Sequence, residues 1–368
     1  MNSTSAVGCE DLELLVNASF VHRGTTTPVL VANSQMDKIF LLLSATILAL
    51  SIVIGGAGNI VILSGIFTVK KLRIPPNIQL ASLALVDLAA CVIASPVRLY
   101  NVVQALNGTY NICSRLTRIL CYVEVFTIRA FIVASLLHLT SISIMRVVIV
   151  RGHQSIGRRH MQIAIVMVMA CSLCGIGNGA YSLLRAPDRI CMMFFALEGA
   201  TDRLMPGFLP MLCLAGFLVI AVCYGLIYRE TRRSTMLVHA HGVPSQVVGG
   251  QNGHNMATTR ICLAIVVSFF ILYMPYSVAY VMHLGGHGKF KASNPFLVTF
   301  SFTLGIADSA INPLLYAFQS KELRKALKNA VRSRLSIRNG ITPQREQPNV
   351  SARHASRVNT NNAQTSYV

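Results

Sequence analysis

The chain has 368 residues, of which 53% are hydrophobic and only 12% charged, with a formal net charge of +19 and no tryptophan. Soluble globular domains carry about 25% charged residues, so composition and a mean hydropathy of +0.57 exclude an ordinary water-soluble fold. The basic excess sits in short loops and the tail, where it meets the anionic inner leaflet, and nucleic acid is set aside as a partner.

Residues 1–36 are polar, with Glu10, Asp11 and Glu13 against Arg23. The apolar patch from Leu12 to Val16 is too short and too acidic at its flanks for a cleavable signal peptide. Crossing a bilayer takes about 20 mostly apolar residues. Seven runs qualify, at 37–69, 75–104, 116–150, 160–184, 204–230, 257–285 and 292–318, and the first doubles as an uncleaved signal anchor. Lys70, Lys71 and Arg73, then Arg151, Arg158 and Arg159, then Arg232 and Arg233 mark the first, third and fifth loops as cytoplasmic. The amino terminus is therefore expected outside and the carboxyl terminus inside, in the plasma membrane. The sequons at Asn2, Asn17 and Asn107 fall on the outer side, whereas the one at Asn349 does not.

After the last span, residues 319–334 place Leu323, Leu327 and Val331 on one face and Lys321, Arg324, Lys325 and Lys328 elsewhere. That pattern predicts an amphipathic eighth helix lying on the cytoplasmic leaflet. Residues 335–368 are polar and aperiodic, as in a disordered tail. The fold class is thus an all-α membrane protein, with an extracellular segment at 1–36 and a seven-transmembrane helix bundle at 37–318.

Cys9, Cys113, Cys121 and Cys191 face the oxidising side. They allow three pairings. Cys121 with Cys191 is preferred, which leaves Cys9 and Cys113 as a second bridge or as two free thiols. The glycines at 55, 56 and 58, and at 175, 177 and 179, suit close helix approach better than phosphate binding, since no strand precedes them. His239, His241 and His254 lack metal-ligand spacing. No nucleophile–base pair stands out, so no enzymatic activity is expected.

Five motifs occur in order on the expected helices. They are Gly58-Asn59, Leu83-Ala84-Leu85-Val86-Asp87, Ser141 to Val147 around Arg146, Phe269 with Tyr273-Met274-Pro275-Tyr276, and Asp308 to Tyr316 around Asn312-Pro313. With Cys121 placed 25 residues before Arg146, the chain resembles the rhodopsin-like (class A) G-protein-coupled receptors over residues 37–334. The resemblance implies a transmission column of Asn59, Asp87, Arg146, Pro275 and Asn312. It implies that Arg146, steadied by Tyr224 and Tyr316, moves to a heterotrimeric G protein on activation. Pro275 and Pro313 would loosen the sixth and seventh helices.

The resemblance also implies an allosteric sodium ion on Asp87, with Ser135, Asp308, Ser309, Asn312 and Asn59 around it, and no other cofactor. Asp308 stands where asparagine is usual. Two carboxylates in one dry site cannot both stay ionised without a cation between them, so tighter cation binding or one shared proton is expected. Other departures are Met145 in place of the acidic partner of Arg146, Val147 in place of tyrosine, Tyr273 in place of tryptophan and Gly216 in place of proline. Asn255 supplies no carboxylate near the sixth span either. Loss of restraint on Arg146 implies raised basal activity or impaired coupling.

The ligand pocket is expected between the outer halves of the third, fifth, sixth and seventh helices. Ile128 replaces the aspartate of amine receptors, and Ile306 replaces the lysine that holds retinal, so a monoamine or a photopigment is disfavoured. Arg98, Glu124 and Arg129 are the ionisable groups of this region. Arg98 and Glu124 either pair with each other, or Arg98 or Arg129 holds an acidic ligand or Glu124 a basic one, and Arg129 could equally face the fourth helix. Phe208, Tyr276, Tyr280 and Phe302 supply an aromatic wall. Further expected partners are membrane lipids, arrestin on a phosphorylated tail and a PDZ domain at Ser366-Tyr367-Val368. The expected function is a ligand-activated receptor; the alternative is a seven-helix decoy, scavenger or partner subunit that does not signal.

Overall fold

The computed structural model describes residues 20–21, 29–30, 34–111, 114–151, 158–185, 204–240, 263–278 and 295–319. A helix satisfies its own backbone hydrogen bonds and so suits a medium without water. Seven helical spans form: α1 (Gln35–Thr68), α2 (Pro75–Leu106), α3 (Arg115–Arg151), α4 (Arg158–Arg185), α5 (Leu204–Ala240), α6 (Leu263–Val278) and α7, made of Pro295–Ile306 and Asp308–Gln319. All but α6, as far as it is described, are long and apolar enough to cross a membrane. Large apolar side chains point outward, with Leu184 82% and Met211 73% exposed. Water would penalise such a surface; lipid does not.

Local chemistry sets the helix ends. Ser34 caps α1 by accepting from the Asp37 amide at 3.1 Å, and the Asp37 carboxylate accepts from the Ser34 amide at 3.0 Å. Pro75 and Pro76 open α2, where missing N–H groups cost nothing. Within α2 the turn Ala90–Ala94 widens to a π-turn just before Pro96, which cannot donate to the previous turn. The Ser95 hydroxyl donates to the Ala90 carbonyl at 3.1 Å. Its counterpart in α1, Ser51–Gly55, is also a π-turn, and the two pack against each other.

The buried strut is α3, which packs on α2, α4 and α5, while α7 packs on α1 and closes the ring. Glycine permits two of these approaches. A Cβ on Gly175 would fall 2.6 Å from the Ala130 carbonyl, and one on Gly179 2.8 Å from that of Phe126, so α4 lies directly on α3. Gly55 and Gly58 do the same for α1 against α2 and α7. Gly56 and Gly177, grouped with them from sequence, face open space and carry no such contact.

Three features differ from the sequence reading. The fifth helix runs ten residues past Glu230, to Ala240, because its polar extension contains no helix breaker. α7 is interrupted at Ala307, where the Ala310 amide bonds the Ala307 carbonyl at 3.0 Å. A small antiparallel sheet was not foreseen: β1 (Phe20–Val21), β2 (Val29–Leu30) and β3 (Tyr110–Asn111) pair in that order, with Phe20 opposite Leu30 and Leu30 opposite Tyr110. Two-residue strands are too short to show an alternating pattern. The expected eighth helix beyond Gln319, the tail, Asn2, Asn17 and Asn349 lie outside the described residues.

A methyl group at position 58 would lie 2.4 Å from Pro313 Cβ. Gly58→Ala is therefore expected to destabilise the bundle by about 1–3 kcal/mol through overpacking, whereas Gly56→Ala should be neutral or slightly stabilising. Thermal unfolding of the two purified variants in detergent checks the contrast.

Candidate functional site

The inner site begins with a backbone defect. Pro313, inside α7, has no N–H to give the carbonyl four residues earlier, that of Ser309. Asn59 of α1 fills the gap. Its amide nitrogen donates to the Ser309 carbonyl at 2.9 Å and to the Gly55 carbonyl at 2.9 Å. One side chain thus ties the π-turn of α1 to the break in α7.

Beside it lies Asp87 of α2, 1% exposed. Asn312 donates to Asp87 Oδ2 at 2.9 Å and Ser309 donates to Oδ1 at 3.4 Å, and Ser135 of α3 lies beside the carboxylate. Asn312 also reaches Asp308 Oδ2, at 3.4 Å. The sodium-network residues expected from sequence are therefore brought together. Three acceptors of this cluster, Asp308 Oδ1, Asn312 Oδ1 and Asn59 Oδ1, are buried without a donor. Buried acceptors normally find partners, and three unspent oxygens next to two carboxylates suit a small cation. Ser268 of α6 lies against Asp308 and was not foreseen.

Above the cluster, the Tyr273 ring rests on Phe269 with centroids 4.3 Å apart. A Cβ on Gly305 would come within 2.7 Å of the Tyr273 ring, so glycine at 305 makes room for the tyrosine ring. Gly216 touches Leu136, whose Cδ1 lies 3.0 Å from the position a Cβ would take. Leu136 thereby occupies space that proline would claim. Pro275 is half-buried within α6.

Towards the carboxyl-terminal end of α3, Met145 is buried and Arg146 half-buried. Arg146 Nε is buried without a hydrogen-bond partner, and no ion pair to Arg146 occurs among the described residues. An acidic side chain at 145 would be the usual neighbour; here that position is packed core. Tyr224 is half-buried on α5. Tyr316 lies on α7, but its side chain is outside the described residues.

The outer site is built on a buried ion pair. Arg98 of α2 donates through Nη1 to Glu124 of α3, and their side chains are 7% and 10% exposed. Arg98 Nε donates to Thr303 Oγ1 at 3.3 Å, Nη2 to the Thr299 carbonyl at 3.2 Å, and the guanidinium sits 4.7 Å above the Phe302 ring. Asn101 donates to Glu124 Oε2 at 2.6 Å. Tyr276 meets Phe302 edge-on at 5.0 Å. Burial, with Glu124 alongside, holds the Tyr110 hydroxyl of β3 well above its usual titration range, so it stays neutral.

Of the expected pocket residues, Arg98, Glu124, Tyr276 and Phe302 converge. Ile128 is buried on α3. Arg129 is buried but makes no bond to the pair. Phe208 and Tyr280 have no described side chains. Asn101, Thr299 and Thr303 were missed, although spacing offered a clue: Arg98 and Asn101 are i, i+3, and the two threonines are i, i+4, each pair sharing one helix face. Cys121 is disulfide-bonded; Cys191 lies outside the described residues. Asn107 is exposed at the end of α2.

Residues 58–316 match the family described as 7 transmembrane receptor (rhodopsin family). Neuromedin-U receptor 1 of Mus musculus is 27% identical over 339 residues, covering 81% of this chain and 74% of the relative. The motilin receptor of Homo sapiens is 22% identical over 354 residues, covering 80% of this chain and 82% of the relative. The Gq-coupled rhodopsin of Mizuhopecten yessoensis is 26% identical over 299 residues, covering 74% and 56%. The crystal structure of squid rhodopsin superposes with a TM-score of 0.65 at 17% identity, covering 90% of this chain and 93% of that one. At that identity it speaks for the fold.

Breaking the outer ion pair from one side leaves a buried charge unmatched, which costs about 3–5 kcal/mol. Arg98→Met and Glu124→Leu are each expected to lose that much stability, and the double variant to regain most of it. A double-mutant cycle on unfolding midpoints measures the coupling.

Proposed function

Because the chain belongs to the rhodopsin family of seven-transmembrane receptors, a class of multi-pass, non-enzymatic membrane receptors, we propose that it binds an extracellular ligand at the Arg98–Glu124 cluster and activates a heterotrimeric G protein through Arg146. It rests on one observation: a buried polar column, Asn59 to Ser309 and Asp87 to Asn312, that links α1, α2 and α7 between the outer cluster and Arg146. A change in the spacing of α2 and α7 at the ion pair acts on the same two helices that the polar column joins further along.

In this proposal the amino terminus is extracellular, with glycans on Asn2, Asn17 and Asn107 and a Cys121–Cys191 bridge fixing the outer end of α3. The carboxyl-terminal tail is cytoplasmic, and its partners are arrestin and, at Ser366-Tyr367-Val368, a PDZ domain. Retinal and monoamines are disfavoured by Ile306 and Ile128, both buried and apolar. Asp87, Ser135, Asp308 and Asn312 would hold a sodium ion. When bound, that ion neutralises the carboxylate pair; the side chains themselves hold α2, α3 and α7 together in the resting arrangement.

Arg146 without an acidic neighbour should give measurable output in the absence of agonist. Second-messenger levels in cells expressing the receptor are expected above background, and Arg146→Ala is expected to return them to background at equal surface expression. Silence of the unaltered receptor in every G-protein assay would favour the non-signalling alternative. A second measurement concerns the carboxylate pair. Basal output is expected to fall as sodium replaces an organic cation, and Asp308→Asn to raise the half-maximal sodium concentration roughly tenfold, the equivalent of about 1.4 kcal/mol. An unchanged response to sodium and pH would remove Asp308 from the site.

A further inference from the structure

Resting on the outer cluster as the ligand site, we infer that this receptor recognises its ligand through a primary ammonium group seated against Glu124 and Asn101. The hydrogen-bond inventory of the cluster is lopsided. On the Arg98 side, all three guanidinium nitrogens are engaged, by Thr303, Glu124 and the Thr299 carbonyl, and the flat face is closed by Phe302. An anionic ligand could use at most the two remaining guanidinium N–H groups, and would approach them beside the Glu124 carboxylate, which repels it.

The opposite side asks for donors. Each oxygen of Glu124 accepts one bond, from Arg98 or from Asn101, where a carboxylate has room for about four in all. Asn101 is 1% exposed, and its Oδ1 is buried without a donor. The amide cannot be turned round to relieve this, because its nitrogen faces an acceptor-only carboxylate. A group with several N–H donors satisfies Glu124 and Asn101 together and leaves the Arg98 bonds in place. An ammonium does so as a compact cation with three donors.

The carboxylate lies four residues before Ile128 on α3, hence on the same face one turn away. The pair formed by Arg98 and Glu124 is neutral overall, so the incoming charge meets no net repulsion from it.

The probe is propylammonium chloride at roughly 10 mM, a concentration suited to so few heavy atoms. It is tested on the purified full chain in sodium-free detergent buffer, beside tetramethylammonium chloride and tetramethylammonium propionate at equal ionic strength. Only propylammonium is expected to raise the unfolding midpoint, by roughly 2 °C, and Asn101→Leu and Glu124→Gln are expected to lose the shift. Protection by propionate, equal protection by tetramethylammonium (a cation without N–H donors), or no protection by propylammonium would each overturn the inference. The comparison of the three salts on the unaltered chain decides even if a variant fails to fold. Arg146→Ala should keep the shift, so a failure of G-protein coupling is read separately from a failure of ligand recognition.

Discussion

Proline in the interior of a membrane-spanning helix leaves a carbonyl that lipid cannot satisfy, and much of this molecule is arranged around one such carbonyl. Pro313 frees the oxygen of Ser309, and the Asn59 amide from α1 donates to it at 2.9 Å. For that reach to exist, α1 must lie close to α7. Gly55 and Gly58 make it possible, with Gly58 against the Pro313 ring and Gly55 against Ala310 and Cys91. The same break lets Ser309 and Asn312 turn towards Asp87. A defect in one helix has become the joint of three.

The two polar clusters solve the problem of buried charge differently. At the outer site opposite charges meet directly, and the surrounding threonines, asparagine and Phe302 use most of the remaining capacity of the pair. At the inner site two carboxylates share one asparagine, and three acceptors stay unspent. The first keeps spare acceptor capacity at Glu124 and at Asn101 Oδ1; the second is open by several donors. Sites short of donors are where a cation gains most, and both clusters lean that way.

The positions read from sequence as departures from the resemblance sit in packed surroundings. Tyr273 is smaller than tryptophan, yet it fills its place because Gly305 lets the ring approach α7 while Phe269 supports it from below. Gly216 yields its space to Leu136. Met145, with nothing acidic to offer Arg146, is simply core. The bundle is thus indifferent to these exchanges in its architecture, and their consequences belong to the balance between resting and active arrangements.

The seven spans were legible because hydropathy and length are properties of consecutive residues, and the cost of bare backbone in lipid allows few ways to fold them. The motif residues Asn59, Asp87, Asn312 and Pro313 were legible as types on helices. Their meeting was not: the Asn59–Ser309 bond joins residues 250 apart in sequence, and no local pattern encodes which face turns inward. Sequence left open whether Arg98 and Glu124 touch at all, and only the packing of α2 against α3 brought them into an ion pair. It likewise separated Gly55 and Gly58, which touch neighbours, from Gly56, which touches none. The chain alone determined that helices cross the bilayer and which polar residues they carry into it. The tertiary structure decided which of those residues find each other, because hydrogen bonds and close contacts depend on helix rotation and distance, quantities that exist only after the helices have packed.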